Sequence, residues 1–349
     1  MISNLHPMVG ILADDLTSAA DGAGPFVQRG LSATVGRPHP PTSSLADAVA
    51  VDMATRSVPV REAMASVERS VRLLDGAGIL LKTVDSTLRG HVRAEIETAY
   101  KTSRRSRLVF APSFPEAGRV TRNGIQHVDG VPVAESAYGK DPVHPARTSR
   151  LSELVPSLVR SAVLLDAETQ ADLDAQVAAI PELEDTLWVG SPGLAIALSR
   201  AIAPRESVQC LPSAVGRVFV VVGSANGIST AQAEAAEAID GVDVLRAPSK
   251  RGDPTATLYA LTERAASALH SGRYGAVLAA GGDTMEAVLD AVGIGAFDLV
   301  GEFEPGFPAG VASLGDRSLV LGMKAGGFGA PDTLVRAVQR LIGTKELVG

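Results

Sequence analysis

Residues 8–30 read MVGILADDLTSAADGAGPFVQRG. The apolar run 8–13 is short and continuous, and two acids stop it. That is the pattern of a strand buried on both faces of a sheet. Residues 14–17 then form a turn, and the small and apolar residues of 18–29 suit a helix. Gly30 stands where a helix C-cap is expected, because glycine accepts the left-handed backbone needed there. A buried strand feeding a helix is the first half of a βαβ unit.

The same alternation runs outward from this stretch. Strands are expected at 31–35, 78–84 and 107–111, and helices at 61–74 and 91–101. Strands alternating with helices imply right-handed crossovers and a mostly parallel sheet. Residues 124–134 (GIQHVDGVPVA) break the rhythm, and Asp129-Gly130 between alternating residues predicts a hairpin. Residues 200–216 (RAIAPRESVQCLPSAVG) carry two prolines and no periodicity. A domain boundary is therefore placed there, giving domains 1–205 and 206–349.

The second domain restarts with RVFVVV at 217–222, a run suited to a central parallel strand. Three strand–glycine–helix units follow. They are VVVGSANGIS at 220–229 with a helix from Thr230, AVLAAGGDT at 276–284 with a helix to Val292, and SLVLGMKAGGFGAPD at 318–332 with a helix to about Ile342. The expected architecture is thus α/β, with two domains, each a mostly parallel sheet flanked by helices, and an active site in the cleft between them.

In an open parallel sheet such loops gather at the carboxyl edge, where ligands bind. Glycine lets phosphate oxygens approach backbone amides, and a helix N-terminus adds partial positive charge. Gly223-Ser224, Gly281-Gly282-Asp283-Thr284 and Gly326-Gly327-Phe328-Gly329 are therefore candidate walls of one nucleotide site. A single loop of this kind is more often a plain βα turn, and three in succession favour a site. No Walker A sequence occurs, and no dinucleotide fingerprint lies in a strand–turn–helix setting. Gly22-Ala23-Gly24 lies inside a helical stretch and is discounted. Spacing alone does not choose between ATP and another phosphate-bearing ligand.

The first domain carries a second kind of chemistry. Asp14 and Asp15 are adjacent at a strand end, and neighbouring carboxylates are costly to bury without a cation, a donor or a proton. Residues 82–90 (KTVDSTLRG) put two cations, an acid and two hydroxyls where a strand meets a helix. Lys82 and Asp85 converge only if the turn begins near Val84. Arg56, in ATRS, adds a cation near another strand end. A small hydroxy acid needs such groups: Arg or Lys for its carboxylate, acids and hydroxyls for its alcohols, and a carboxylate to take a proton. Surface salt bridges and helix caps, with Asp85 or Ser86 capping the next helix, are the alternative.

The bulk composition limits the partners. The 349 residues are 46% hydrophobic, 20% charged and 4% aromatic, with a net charge of -7. No basic cluster is present, so neither nucleic acid nor an anionic membrane surface is an expected partner. One cysteine excludes an intrachain disulfide, and six scattered histidines give no zinc-ligand spacing. With no 18-residue apolar run, a soluble cytoplasmic protein is expected. A homodimer is compatible with the sequence, which does not specify one.

The motifs together resemble the four-carbon acid sugar kinases. ILADDLTSAADGAGPFVQRG at 11–30 is similar to that family's ADDLTGA opening. VDMATRS at 51–57 resembles its acidic-to-TRS segment, and KTVDSTLRGHVRAEIE at 82–97 its K-x-D-S-T-L-R-G-N motif. APSFPEAGRVTRNGIQHVDGVPVAES at 111–136 and KDP at 140–142 follow the same pattern. GSANGISTAQ at 223–232, GGDTMEAVLDAVG at 281–293, GEFEPGFPAG at 301–310 and KAGGFGAPDTL at 324–334 resemble blocks of the second half. The resemblance spans about residues 9–336.

It implies a sugar-acid-binding first domain, an ATP-binding second domain, and phosphoryl transfer to the terminal (C4) hydroxyl of threonate, erythronate or 3-oxo-tetronate. By matching position, Asp14, Arg56, Lys82, Thr83, Val84 and Asp85 would contact substrate. Ser224, Gly281, Gly282, Asp283, Thr284 and Gly326 would contact ATP, with Gly327 beside them in the glycine loop. On chemical grounds Asp15 and Arg89 join the catalytic set. Asp85 is the expected proton acceptor with Asp15 its rival, Lys82 or Arg89 would stabilise charge on the phosphoryl oxygens, and Mg²⁺ would neutralise the phosphates. Ser18 stands where the family usually has Gly, His91 where Asn is common, and Asn226–Ser229 where Ser-Pro-Val-Thr is usual. The chain is also shorter than typical members, mainly in its second half. A sugar-acid dehydrogenase or isomerase, and a non-catalytic sensor of sugar acid and nucleotide, are the rival readings.

Overall fold

The computed structural model describes residues 5–38, 44–141, 144–203, 205–207, 211–223, 226–247 and 254–343. Ser224, Cys210 and Pro142 of the KDP block lie outside the described residues. The chain divides into two compact units, Met1–Val208 and Gln209–Gly349.

The first unit opens with β1 (Val9–Ala13), every residue buried, followed by α1 (Leu16–Val27). The helix begins two residues earlier than its composition suggested because Asp15 is its N-cap, accepting from the Ser18 amide at 2.7 Å. It ends as expected: Gly30 has φ +84°, and the Leu31 amide closes back onto the Phe26 carbonyl at 3.1 Å. Then follow β2 (Ala33–Gly36), β3 (Ala48–Asp52), α2 (Val60–Leu73), β4 (Ile79–Thr83), α3 (Val92–Ser103) and β5 (Arg107–Ala111).

After β5 the chain leaves the main sheet for an antiparallel ribbon of β6 (Arg119–Arg122), β7 (Ile125–Val128) and β8 (Val131–Pro132). Its turn is the expected Asp129-Gly130, with φ +48° and +82°. A short helix α4 (Leu151–Leu154), then β9 (Ala162–Leu164), α5 (Gln170–Ala178), β10 (Thr186–Gly190) and α6 (Pro192–Ile202) complete the unit.

The main sheet of this unit has the order β2-β3-β1-β4-β10-β5-β9, with all pairs parallel. Helices α1 and α6 pack together, as do α2 and α3. From β1 the chain moves toward β2, whereas from β4 it moves toward β5, so the winding reverses between β1 and β4. Loops diverge at such a point and leave a crevice. The loops there are 14–15 and 84–91.

The second unit contains β11 (Arg217–Val222), α7 (Gly227–Glu237), β12 (Val242–Arg246), α8 (Pro254–His270), β13 (Tyr274–Ala280) and α9 (Gly282–Val292). It continues through β14 (Ala296–Glu302), β15 (Pro308–Leu314), β16 (Arg317–Lys324) and α10 (Thr333–Ile342). Helix α7 starts at Gly227, ahead of the expected Thr230, because the Asn226 side chain caps the Ile228 amide at 2.8 Å.

The sheet order within this unit is β12-β11-β13-β16-β15-β14. The first four strands are parallel, as read from the sequence, but β14 and β15 run antiparallel as a meander into β16. Buried and more exposed positions alternate along β14, the mark of a strand with one face covered. The winding reverses between β11 and β13, which places Gly223 beside Gly281. Among the described residues no helix is long and apolar enough to cross a membrane.

Candidate active site

At the β1/β4 crevice the loop after β1 and the loop after β3 are stitched together. The Asp14 carbonyl accepts from the amides of Thr55, at 2.8 Å, and Arg56. The Arg56 guanidinium then spans both acids: Nε donates to Asp14 Oδ2 at 2.8 Å and Nη1 pairs with Asp15. Nη2 donates to Ser18 Oγ at 3.3 Å, so the serine that stands in place of the usual glycine touches the site's arginine.

The turn that delivers Arg56 is itself held. Ala54 has φ +49°, and its amide donates to Asp52 Oδ1 at 2.9 Å, while Asp52 Oδ2 is paired with Arg37 at 3.2 Å. Burial pushes the Asp52 carboxyl up to about 6, partly offset by Arg37. The Arg37–Asp52 pair is almost wholly enclosed.

Burial acts differently on the adjacent acids. Asp14 would be raised by desolvation, yet Arg56 and Lys82 hold it below the usual carboxylate range. Asp15 is raised, first by desolvation and then by the negative charge of Asp14. Two neighbouring carboxylates pushed apart in this way can serve as anion and proton acceptor respectively. For Arg56, burial is outweighed by Asp14, Asp15 and Asp85, so the guanidinium stays charged. One oxygen of Asp14, Oδ1, is buried without a hydrogen-bond partner.

The loop after β4 supplies the other wall. The strand ends at Thr83 and the turn begins at Val84, yet Lys82 pairs with Glu95 and no ion pair joins it to Asp85 among the described residues. Asp85 folds over its own loop: Oδ1 accepts from the Thr87 amide at 3.0 Å, and Oδ2 accepts from Thr87 Oγ1 at 2.9 Å and from Arg89 Nε at 2.5 Å. Arg89 reaches Asp141 at 3.4 Å and lies 5.2 Å from the centre of the Tyr138 ring. Burial alone would lower Arg89, and Asp85 outweighs it, holding the cation charged.

His91 bonds the Val58 carbonyl at 2.7 Å and ties this loop to the one bearing Arg56. Asp14, Asp15, Arg56, Asp85 and Arg89 are thus one charge network. Lys82 underlies it with no exposed surface, donating to the Thr83 carbonyl at 2.5 Å and pairing with Glu95 of α3 at 2.8 Å. Thr83 turns its hydroxyl into the sheet toward the Leu12 carbonyl, and Val84 is buried.

In the second unit Gly281 begins the turn into α9 with φ +120°, and its amide donates to the Lys324 carbonyl at 2.7 Å. A side chain at Gly281 or Gly223 would press on Thr284, whose hydroxyl sits against both positions. Gly282 and Thr284 lie in the first turn of α9, and Asp283 beside them is exposed. Gly326 and Gly327 occupy the loop after β16. The three glycine loops therefore follow β11, β13 and β16, which are neighbouring parallel strands.

Sequence reasoning passed over several participants. Glu95 lies on the inward face of α3, Asp52 and Arg37 support the Arg56 turn, and Tyr138 stacks on Arg89. Lys324, a lone charge closing the apolar run LVLGM, carries the loop that contains Gly326. Asp52 and Lys324 each close an apolar run, and that was the available signal; Arg37, Glu95 and Tyr138 lie in mixed polar stretches that gave none.

Residues 9–163 match the sugar-binding N-terminal domain family, and residues 250–334 match the nucleotide-binding C-terminal domain family. A D-threonate kinase of Bordetella bronchiseptica is 32% identical over 96% of this chain and 98% of that protein. A 3-oxo-tetronate kinase of Burkholderia multivorans is 26% identical over 97% and 98%. The chain belongs to the four-carbon acid sugar kinase family.

A solved structure from Salmonella typhimurium LT2 has the same fold, with a TM-score of 0.80 at 22% identity, covering 95% of this chain and 99% of that one. A Bordetella bronchiseptica structure described as a domain of unknown function (DUF1537) is 29% identical, with a TM-score of 0.52 and coverage of 96% and 99%. That protein is a domain-swapped dimer with bound citrate.

Proposed function

We propose that the protein is an ATP-dependent kinase that phosphorylates the terminal (C4) hydroxyl of a four-carbon sugar acid such as threonate, erythronate or 3-oxo-tetronate. One observation carries the reading: two guanidinium groups, Arg56 and Arg89, are gathered with Asp14, Asp15 and Asp85 at the winding reversal of the first unit. Fixed arginines suit a carboxylate and its neighbouring oxygens. The acids suit alcohol groups, and one of them would take the proton of the attacking hydroxyl. A relative named for D-threonate and another named for a 3-oxo-tetronate support the substrate class.

ATP, when bound, would supply the phosphoryl group. Gly282, Thr284, Gly326 and Gly327 would hold its phosphates through backbone amides and the α9 N-terminus, with Gly281 shaping the turn while its own amide stays on the Lys324 carbonyl. Among the described residues no group of three or more His, Cys, Asp or Glu is placed to hold a metal. Mg²⁺ fits as a partner of the phosphates, for which one protein carboxylate suffices, and exposed Asp283 is available. Asp85 is our candidate proton acceptor, and Asp15, with its raised pKa, is the competitor. Arg89 would face charge developing on the transferred group, as positioned cations do in phosphoryl transfer. A cytoplasmic setting and a homodimer complete the proposal, the latter by analogy with the domain-swapped relative.

The test is ADP release with ATP and Mg²⁺ across D- and L-threonate, D- and L-erythronate, 3-oxo-tetronates and several pentonates. Turnover on a four-carbon acid, lowered by about two orders of magnitude or more in Asp85→Asn, is the expected result. Turnover in Asp85→Asn near that of the parent would move the proton-acceptor role to Asp15. No turnover on any acid by a chain shown to bind ATP would overturn the kinase reading.

A further inference from the structure

Lys324, the last residue of β16, is 1% exposed, and its ammonium points into the loop that follows. It donates to the carbonyls of Ala325 at 2.8 Å, Gly326 at 2.6 Å and Phe328 at 2.9 Å. An ammonium has three N–H donors, and all three are used within one loop. Among the described residues it forms no ion pair. Glu304 acts on it from a distance, and that acid is held by Arg336 and Thr333 while Asp332 pairs with Arg336.

Burying a cation without a counter-charge is costly, and here desolvation lowers the ammonium to about 8. Its effect on the loop follows from peptide geometry. In a trans peptide the carbonyl and the next amide point in opposite directions. Turning the carbonyls of 325, 326 and 328 onto Lys324 therefore aims the amides of Gly326, Gly327 and Gly329 the other way. None of those amides has an acceptor among the described residues.

Two of these carbonyls are also gripped from α7. Ser229 Oγ donates to the Gly326 carbonyl, and Gln232 Nε2 donates to Phe328 at 3.2 Å and Ala330 at 2.6 Å. Gly327 lies so close to Asn226 that an added Cβ would stand 2.8 Å from its amide nitrogen. A carbonyl that accepts from a cation also polarises its peptide, making the opposite N–H a better donor.

We propose that Lys324, with Ser229 and Gln232, is a positioning residue that holds the 325–329 loop as an outward-facing nest of glycine amides for the phosphates of the nucleotide. The proposal rests on the nucleotide reading above and assigns the residues that make the loop competent. Lys324 touches no phosphate itself, because its donors are already occupied.

The test is calorimetric binding of ADP and ATP to the full chain and to Lys324→Met, Ser229→Ala and Gln232→Leu, at pH 7 and in steps to pH 9. Lys324→Met should weaken ADP by about 10- to 100-fold, on the scale of a lost charge-assisted hydrogen bond. Ser229→Ala should weaken it by a smaller factor, with sugar-acid affinity intact in both. The parent's ADP affinity should fall as pH rises through about 8, where the ammonium loses its proton, and Lys324→Met should be flat there.

Should Lys324→Met fail to fold, the serine and glutamine variants and the parent's pH profile carry the test. Parent-like ADP affinity in the folded variants, with no step near pH 8, would overturn the positioning role. Absence of any nucleotide binding by the parent chain would instead overturn the nucleotide reading, and this inference with it.

Discussion

Replacing Glu95 by glutamine isolates the support beneath the charge network. Lys82 and Glu95 form an ion pair at 2.8 Å, with side chains 0% and 3% exposed. Glutamine keeps the shape of the side chain but removes the counter-charge, so a buried ammonium remains with the Thr83 carbonyl and the distant field of Asp14. Breaking a buried pair by removing one partner costs about 3–5 kcal/mol. Asp14 supplies part of the missing compensation, which favours the lower end, about 3 kcal/mol. For a unit of this size that corresponds to a fall of about 6–12 °C in melting temperature, or about 1–1.5 M in the urea midpoint.

The assay is direct, because the chain's one tryptophan, Trp188, is fully buried on β10 and its fluorescence reports the first unit alone. The double variant Lys82→Met/Glu95→Leu should recover most of the loss, since a buried pair exchanged for apolar side chains is close to neutral in stability. A Glu95→Gln midpoint within about 0.3 M of the parent would refute the reasoning. So would a double variant no more stable than the single one.

Three further outcomes follow from the same structure. Asp52 binds its proton more tightly folded than unfolded, with a folded value of about 6 against an ordinary 3.8, so its contribution to stability falls as pH rises from about 4 to about 6. The Asp52→Asn variant lacks that slope, and its stability relative to the parent should improve by about 2 kcal/mol between pH 4 and 6.5 in urea titrations; a constant difference would contradict the assignment. Gly281→Ala places a side chain at φ +120° against Thr284, at a backbone cost of about 1–3 kcal/mol. ADP affinity should drop by about tenfold or more with sugar-acid affinity intact, and unchanged ADP binding would remove this turn from the nucleotide site. Arg56→Met should raise the KM for the sugar acid by about 10- to 100-fold without altering ADP affinity, so a kcat effect with constant KM would count against a substrate-binding role.

Much of the fold was legible because strand and helix periods differ. The buried runs of β1, β5 and β11, the left-handed glycine after α1 and the Asp129-Gly130 turn are local features, set by residues a few positions apart. The antiparallel β14–β15 meander was not read as such, because each strand contributes only a short alternation whose partner is fixed by the rest of the sheet. Helix starts shifted by two or three residues at α1 and α7, where the side chains of Asp15 and Asn226 decided the cap. Of the candidate site, Asp14, Asp15, Arg56, Asp85 and Arg89 stood out as charges at strand ends.

Sequence by itself determined the βα rhythm, the glycine turns and the family motifs, since these depend on local backbone preference and on residue order. Only the tertiary structure decided which charges meet. Arg56 lies 42 positions from Asp14 and reaches it because β1 and β3 are paired in parallel with their ends level. Lys82 meets Glu95 because α3 folds back over its own strand. Lys324 grips a loop that Ser229 and Gln232, more than 90 positions earlier, hold from the other side. Electrostatic strength depends on separation and burial, and both come into being only when the chain has closed on itself.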